Sequence, residues 1–243
     1  MLLPTMNDEE KGWEAYRVYP LAKEVYDNYR PIVMDKFRRG TKFPYFQRVV
    51  FKDDRNNEWV MTFLCKSKAN RKNGPIWLMC HTVYEIQKKK SDGTNMYDGN
   101  TGKGIIAFDP IGLYNRVEKN SEKGMGMILD IVPHAFNRYT ERYLKPLGKE
   151  NIEFQRKVES IISRWLHFDI MGDPHDNYDD KGILAYDVFM NGGGMLRGQV
   201  VDGMLIRFFT YVNEEMMYDN QLERQTEMHR EYHKWKREGL LKT

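Results

Sequence analysis

The run Pro133-His134-Ala135-Phe136-Asn137-Arg138-Tyr139-Thr140-Glu141-Arg142-Tyr143 spaces a histidine and two arginines at intervals of four residues. Imidazole titrates near neutrality and can take or give a proton. Guanidinium stays charged and holds phosphate oxygens through two parallel hydrogen bonds. Cleaving RNA by attack of its own 2′-hydroxyl needs these groups: a proton acceptor, a proton donor, and positive charge on a phosphorane-like transition state. Pro133 and the apolar spacing predict a helix with the proline in its first turn. At 100° per residue, His134, Arg138 and Arg142 fall within a sector of roughly 80°, with Glu141 beside them. Phe136, Tyr139 and Tyr143 cluster on the opposite side, where they can grip a core. A solvated helix face produces the same i, i+4 charge spacing, with the arginines pairing to Glu141.

Other residues offer different chemistry. The loop 169–180, with Asp169, Asp173, Asp176, Asp179 and Asp180, is dense in the oxygen ligands that suit Mg²⁺ or Ca²⁺. Its spacing lacks the Gly and Glu of an EF-hand, and an ordinary polar loop accounts for it. His229 and His233 stand four apart, but Arg230 occupies the position where a zincin helix has Glu. A solvated helix face is expected there. Gly192-Gly193-Gly194 precedes no helix, so it reads as a turn and not as a phosphate cradle. Cys80 and His81 are adjacent on a strand-like run, so their side chains point to opposite faces and cannot work as nucleophile and base. Cys65 and Cys80 do not oppose each other by simple hairpin counting and are expected as free, buried thiols.

The elements that must position these groups can be read from hydropathy. The chain has 243 residues, 41% hydrophobic and 13% aromatic, enough for one large core or a domain with a helical extension. Its net charge of +3 rules out a global polycation, so nucleic-acid binding must come from local patches. Candidates are Lys36-Phe37-Arg38-Arg39, residues 66–72 and Lys88-Lys89-Lys90, each flanked by polar or acidic residues. Residues 7–10 start a helix, and Pro20 and Pro31 interrupt the run bearing Trp13, Tyr16, Leu21, Val25 and Tyr29, so two short helices are expected. Residues 46–51 and 59–64 form a hairpin, 76–86 a third strand and 104–108 a fourth, with a turn-rich segment before the last. A short strand at 127–132 leads directly into the histidine-bearing helix. A helix is expected over 149–168, strands over 183–190, 195–201 and 204–212, and a long charged helix over 214–238. That order predicts an α+β protein with a largely antiparallel sheet and helices before, between and after the strands. Residues 1–120 and 121–243 are two regions or one continuous domain. Residues 1–10 carry no signal-peptide core and no apolar run reaches membrane-spanning length, so a soluble, cytoplasmic protein is expected.

The motif His134-Ala135-x-x-Arg138-x-x-Glu141-Arg142 resembles the helix motif of small bacterial ribonuclease toxins of the barnase–EndoU–colicin–RelE grouping. The final strand, Ile206-Arg207-Phe208-Phe209-Thr210-Tyr211-Val212, is similar to the Thr-aromatic-Val terminal strand of such domains. The likeness covers about the second half of the chain, with a longer insert between helix and strands than compact members have. It implies a site where the helix meets an antiparallel sheet, completed by Thr210 and by Arg197 or Arg207. It implies a metal-independent endoribonuclease acting on RNA without a cofactor, a toxin or mobile-element product, with an inhibitory protein partner. Two alternatives compete. One is a non-catalytic structural or protein-binding module using the last helix, whose Met216, Met217, Leu222, Gln225, Met228, Tyr232 and Trp235 stripe also suits homo-oligomers. The other is a metal-dependent nuclease built on the acidic loop.

Overall fold

A long amphipathic helix opens the chain. The computed structural model describes residues 6–71, 77–86, 101–120, 127–165, 185–202 and 205–238. Helix α1 (Asp8–Arg39) is capped by Asn7, whose side chain accepts from Glu10 N while the Glu10 carboxylate accepts from Asn7 N. The two short helices expected here are one helix, running through Pro20 and Pro31. Both prolines lie on its exposed side, where their rings meet solvent instead of the core. The other side buries Ala15, Val18, Ala22, Val33 and Phe37, and that burial outweighs two lost hydrogen bonds.

Strands β1 (Tyr45–Lys52) and β2 (Glu58–Cys65) form the expected hairpin, closing at the pair Lys52 and Glu58. Asp53 organises its turn by accepting from Arg55 N, Asn57 N, Asn57 Nδ2 and Trp59 Nε1, and by pairing with Arg17 of α1. Burial pushes this carboxyl up, but those hydrogen bonds outweigh it and hold the pKa well below the ordinary range. Then come β3 (Trp77–Ile86), β4 (Gly102–Phe108), α2 (Pro110–Lys119), β5 (Ile128–Ile131), α3 (Pro133–Tyr139), α4 (Phe154–Arg164), β6 (Ala185–Phe189), β7 (Met195–Asp202), β8 (Leu205–Val212) and α5 (Asp219–Arg237).

The strands make one eight-stranded sheet in the order β1-β2-β3-β4-β5-β8-β7-β6, so the fold is α+β and the sheet runs through both halves of the chain. Every pairing is antiparallel except β5 with β8. Alternation along the strands separates two cores. Leu129, Ile131, Leu196, Phe208 and Tyr211 face α3 and α4, while Ile128, Leu205, Trp59, Met61 and Phe63 face α1 and α2. A smaller cluster of Phe189, Met195, Met217 and Met228 seats α5.

Helix α4 spans less of the chain than expected, because Glu153 is extended before it and Trp165 after it. Trp165 instead bridges to Met190. The expected helix 214–238 is also divided. A single 3₁₀ turn (Glu214–Met216) precedes an extended, buried Met217, and α5 starts after Tyr218. Between β6 and β7 the turn Gly192-Gly193-Gly194 holds φ values of 80°, 93° and 77°. A Cβ at Gly194 would stand 2.6 Å from the Val212 carbonyl oxygen and closer still to the Tyr211 hydroxyl. Gly194→Ala is therefore expected to destabilise the protein by about 1–3 kcal/mol in urea unfolding. A loss within a few tenths would mean the turn can yield.

Candidate functional site

Helix α3 enters directly from β5. Pro133 takes the first helical position, where an amide hydrogen has no intrahelical acceptor. Ala135, Phe136 and Tyr139 are buried. The Phe136 ring lies 4.7 Å from that of Phe154, and the Tyr139 hydroxyl is 2.7 Å from Ser160 Oγ, so α4 clamps this side. Tyr139 also meets Tyr211 of β8 edge-on. Beyond Tyr139 the chain widens into a π turn (Thr140–Leu144), and the Thr140 hydroxyl donates to the Phe136 carbonyl. Such turns are frequent at functional sites.

The opposite flank carries the polar residues. Arg138 Nε donates to His134 Nε2 at 3.4 Å, and its Nη1 donates to the Glu141 carboxylate at 2.7 Å. One guanidinium thus bridges imidazole and carboxylate. Arg138, first by hydrogen bond and then by charge, holds the exposed Glu141 below its ordinary pKa. In the next turn, Arg142 Nη1 donates to the Tyr211 carbonyl at 2.5 Å, which fixes this arginine beside β8. His134, Arg138 and Arg142 are all partly exposed.

The three C-terminal candidates occupy different surroundings. Arg197 and Thr210 are cross-strand partners, while the neighbouring pair Leu196 and Tyr211 faces α3 and α4. Arg197 and Thr210 therefore point from the other face of the sheet. Arg197 Nε stands 3.7 Å from Asp187, whose pKa is raised by burial. Arg207 shares that face and donates through Nε to the fully buried Asp130 at 3.1 Å. Lys11 of α1 meets the same carboxylate at 2.8 Å, and the Tyr84 hydroxyl donates to its second oxygen at 2.6 Å. His134 and Arg138 are in contact, Arg142 is held one turn further on against β8, Arg197 and Thr210 are cross-strand partners, and the sheet's pleat sets those two on the face away from α3.

Two further polar clusters lie apart from these residues, the first around His81, whose place in a strand between Cys80 and Thr82 suits a core or sheet-face histidine. His81 is fully buried under α4, with Nε2 3.0 Å from Gln155 Oε1. Burial pushes its pKa down to about 4, against opposing contributions from Gln155 and Glu159. Glu159, also buried, is paired with Arg48 at 2.5 Å and Arg156 at 2.9 Å. Arg164 is the second case. Its guanidinium lies 3.5 Å from the centre of the Tyr143 ring, and it donates to the carbonyls of Asn191 and Gly193. Its place amid the apolar Val158-Ile161-Ile162-Trp165 face was the available hint.

The glycine turn presents carbonyls to Arg164, which is not how a phosphate is cradled. His229 and His233 lie along α5, and burial first, then His233, pulls the His229 pKa down. Cys65 and Cys80 are free and buried, and the register pairs Cys80 with Met61 and Cys65 with Tyr45. In the basic run at 66–72, Lys66 is engaged internally, donating to the Trp165 carbonyl and stacking over Trp77. Lys36, Arg38 and Arg39 occupy the last turn of α1. The acidic loop 169–180 and Lys88-Lys89-Lys90 lie outside the described residues. Among the described residues no group of three or more His, Cys, Asp and Glu side chains could hold a metal ion, and no helix is long and apolar enough to cross a membrane. Compared with protein-family models, with curated proteins and with solved structures, the chain matches none of them.

Proposed function

We propose that this protein cleaves RNA phosphodiester bonds without a metal, in the manner of the ribonuclease toxins that its second half resembles. His134 moves the proton of the attacking 2′-hydroxyl or of the leaving oxygen, and Arg138 and Arg142 hold the phosphate. One observation supports the reading: the His134 imidazole and the Arg138 guanidinium meet on the partly exposed flank of a helix whose other flank is anchored in the core, with Arg142 partly exposed in the π turn that follows. Arg142 uses one donor on Tyr211, and the rest of its fork can take phosphate oxygens. Thr210, Arg197 and Arg207 belong to the reading through the resemblance alone, and their placement on the other sheet face makes α3 the first side to test. An inhibitory partner and an origin in a mobile element come with the same resemblance.

The test is incubation of purified protein with mixed RNA in EDTA. Cleavage that falls by about a hundredfold in His134→Ala is expected, the lower end of what a positioned proton-transfer group contributes. Equal cleavage by the variant would sink the assignment, and activity appearing only with Mg²⁺ would move it to the acidic loop. A second reading, a binding module without chemistry, is favoured by Met216 and Tyr218, which are 52% and 72% exposed just before α5. Partner capture or self-association without cleavage under any condition would place that reading first.

A further inference from the structure

The contact between Arg138 and His134 says which ring nitrogen carries the lone pair. Neutral imidazole has one nitrogen that donates and one that accepts. Arginine is always a donor, so an Nε–H aimed at His134 Nε2 requires a lone pair on that nitrogen. The ring proton then sits on Nδ1, the tautomer that an unconstrained neutral histidine populates less. Arg138 is itself held: its Nη1 is bound by Glu141, three residues on, while its Nε reaches back four residues to the ring. The charges of Arg142 and Lys145 also favour the ionised Glu141, after that of Arg138. From the order Glu141, Arg138, His134 we infer that Glu141 is a positioning residue and that Arg138, the phosphate holder of the proposed site, also sets the ring before substrate binds. They lock His134 in the Nδ1–H tautomer and thereby make it the proton acceptor of the site.

The acceptor role rests on the nuclease reading, whereas the tautomer does not. In the proposed reaction, His134 Nε2 takes the 2′-hydroxyl proton as the 2′-oxygen bonds to phosphorus and the 5′-oxygen leaves. The leaving oxygen takes its proton from a different donor or from water. Phosphate oxygens draw the Arg138 guanidinium away from Nε2 as they bind, which frees that lone pair for the adjacent 2′-hydroxyl.

The tautomer is read directly from the ring nitrogen chemical shifts of His134 in ¹⁵N-labelled protein at neutral pH. The Nδ1–H form is expected to exceed the Nε2–H form roughly tenfold, as a hydrogen bond from a charged donor allows. The excess should be lost in Arg138→Ala and reduced in Glu141→Gln, where the guanidinium keeps its charge but loses its anchor. Both side chains lie on the exposed flank, so these variants are expected to fold. An Nε2–H ring in the unmodified protein overturns the inference, as does an Nδ1–H ring that persists in Arg138→Ala. RNA cleavage that depends on His134 but comes with an Nε2–H ring keeps the nuclease and removes the lock. The expected tautomer without any cleavage keeps the lock and removes the nuclease, and with it the acceptor role.

Discussion

Asp130→Asn is expected to destabilise the protein by about 3–5 kcal/mol in urea unfolding, a large loss for a change of one atom. The substitution preserves shape, removes the charge and turns one acceptor oxygen into a donor that must face other donors. Two cations then face a neutral amide: Lys11, whose side chain is 10% exposed, and Arg207, at 29%. Their attraction to one fully buried carboxylate is what offsets the cost of taking three charged groups out of water. The Tyr84 hydroxyl, which donates to Asp130 Oδ1 at 2.6 Å, can still find the amide oxygen, so the loss falls on the Lys11 and Arg207 side, where the new amide hydrogens oppose two donors. Lys11→Met should cost less, because Arg207 remains to balance the carboxylate. The double variant should lose less than the two single losses added, since the residues share one network. A loss under 1 kcal/mol in Asp130→Asn would mean that water reaches the cluster.

The same cluster bears on how the molecule unfolds. It joins α1, β3, β5 and β8, and Lys11 and Asp130 are 119 residues apart. The sheet continues across the midpoint of the chain through the pairing of β4 with β5. Fluorescence of Trp59, on the α1 side, and of Trp165, on the α4 side, should therefore report one urea transition in single-tryptophan variants. In Asp130→Asn both midpoints should move together.

What could be read from sequence is what depends on near neighbours. The β1–β2 hairpin was legible because alternating residues flank Asp53-Asp54-Arg55-Asn56-Asn57, and the structure closes the turn through Asp53 itself. The α3 helix was legible because Pro133 and the Phe136-Tyr139-Tyr143 side repeat at helical spacing. Within it the contact of His134 with Arg138 is an i, i+4 neighbour, which spacing alone reaches. The π turn after Tyr139 was not legible, since nothing in the run Thr140-Glu141-Arg142 distinguishes i+5 from i+4 bonding. Pro20 and Pro31 misled for a related reason: local propensity disfavours them within a helix, but the packing of Ala15, Val18, Ala22 and Phe37 decides the matter over a longer range. Partners distant in sequence were invisible. Asp130 stands out in the apolar run Met127-Ile128-Leu129-Asp130-Ile131-Val132, yet nothing there names Lys11 or Tyr84. Arg142 finds the Tyr211 carbonyl 69 residues away, and no side-chain pattern encodes a backbone acceptor. Thr210 and Arg197 were expected to face the helix, but which way they point depends on the pairing register, which composition does not fix.

Acid should destabilise the fold through His81, a histidine buried beneath α4. His81 has a pKa pushed down to about 4 in the folded protein, against 6.5 for a solvated imidazole, and burial is the main cause. The groups facing it are Gln155 and Glu159 on α4 and Arg48 on β1. Gln155 and Glu159 favour the protonated ring and Arg48 opposes it, but none of them offsets the lost solvation. Above pH 6.5 the ring is neutral in both states and the fold keeps its full stability. Below that value the unfolded chain binds a proton that the folded chain refuses, so stability falls as the pH drops towards 4 and then levels. At ~1.4 kcal/mol for each pH unit of that window, the loss is about 3 kcal/mol. Carboxylates titrate across the same range, so the contribution of His81 is the difference between the unmodified protein and His81→Gln. The variant removes the titration while keeping a polar group beside Gln155. It is expected to be the less stable protein at about pH 7 and to lose ~3 kcal/mol less between there and about pH 4. Parallel stability curves for the two proteins would show that His81 is solvated or is protonated in place.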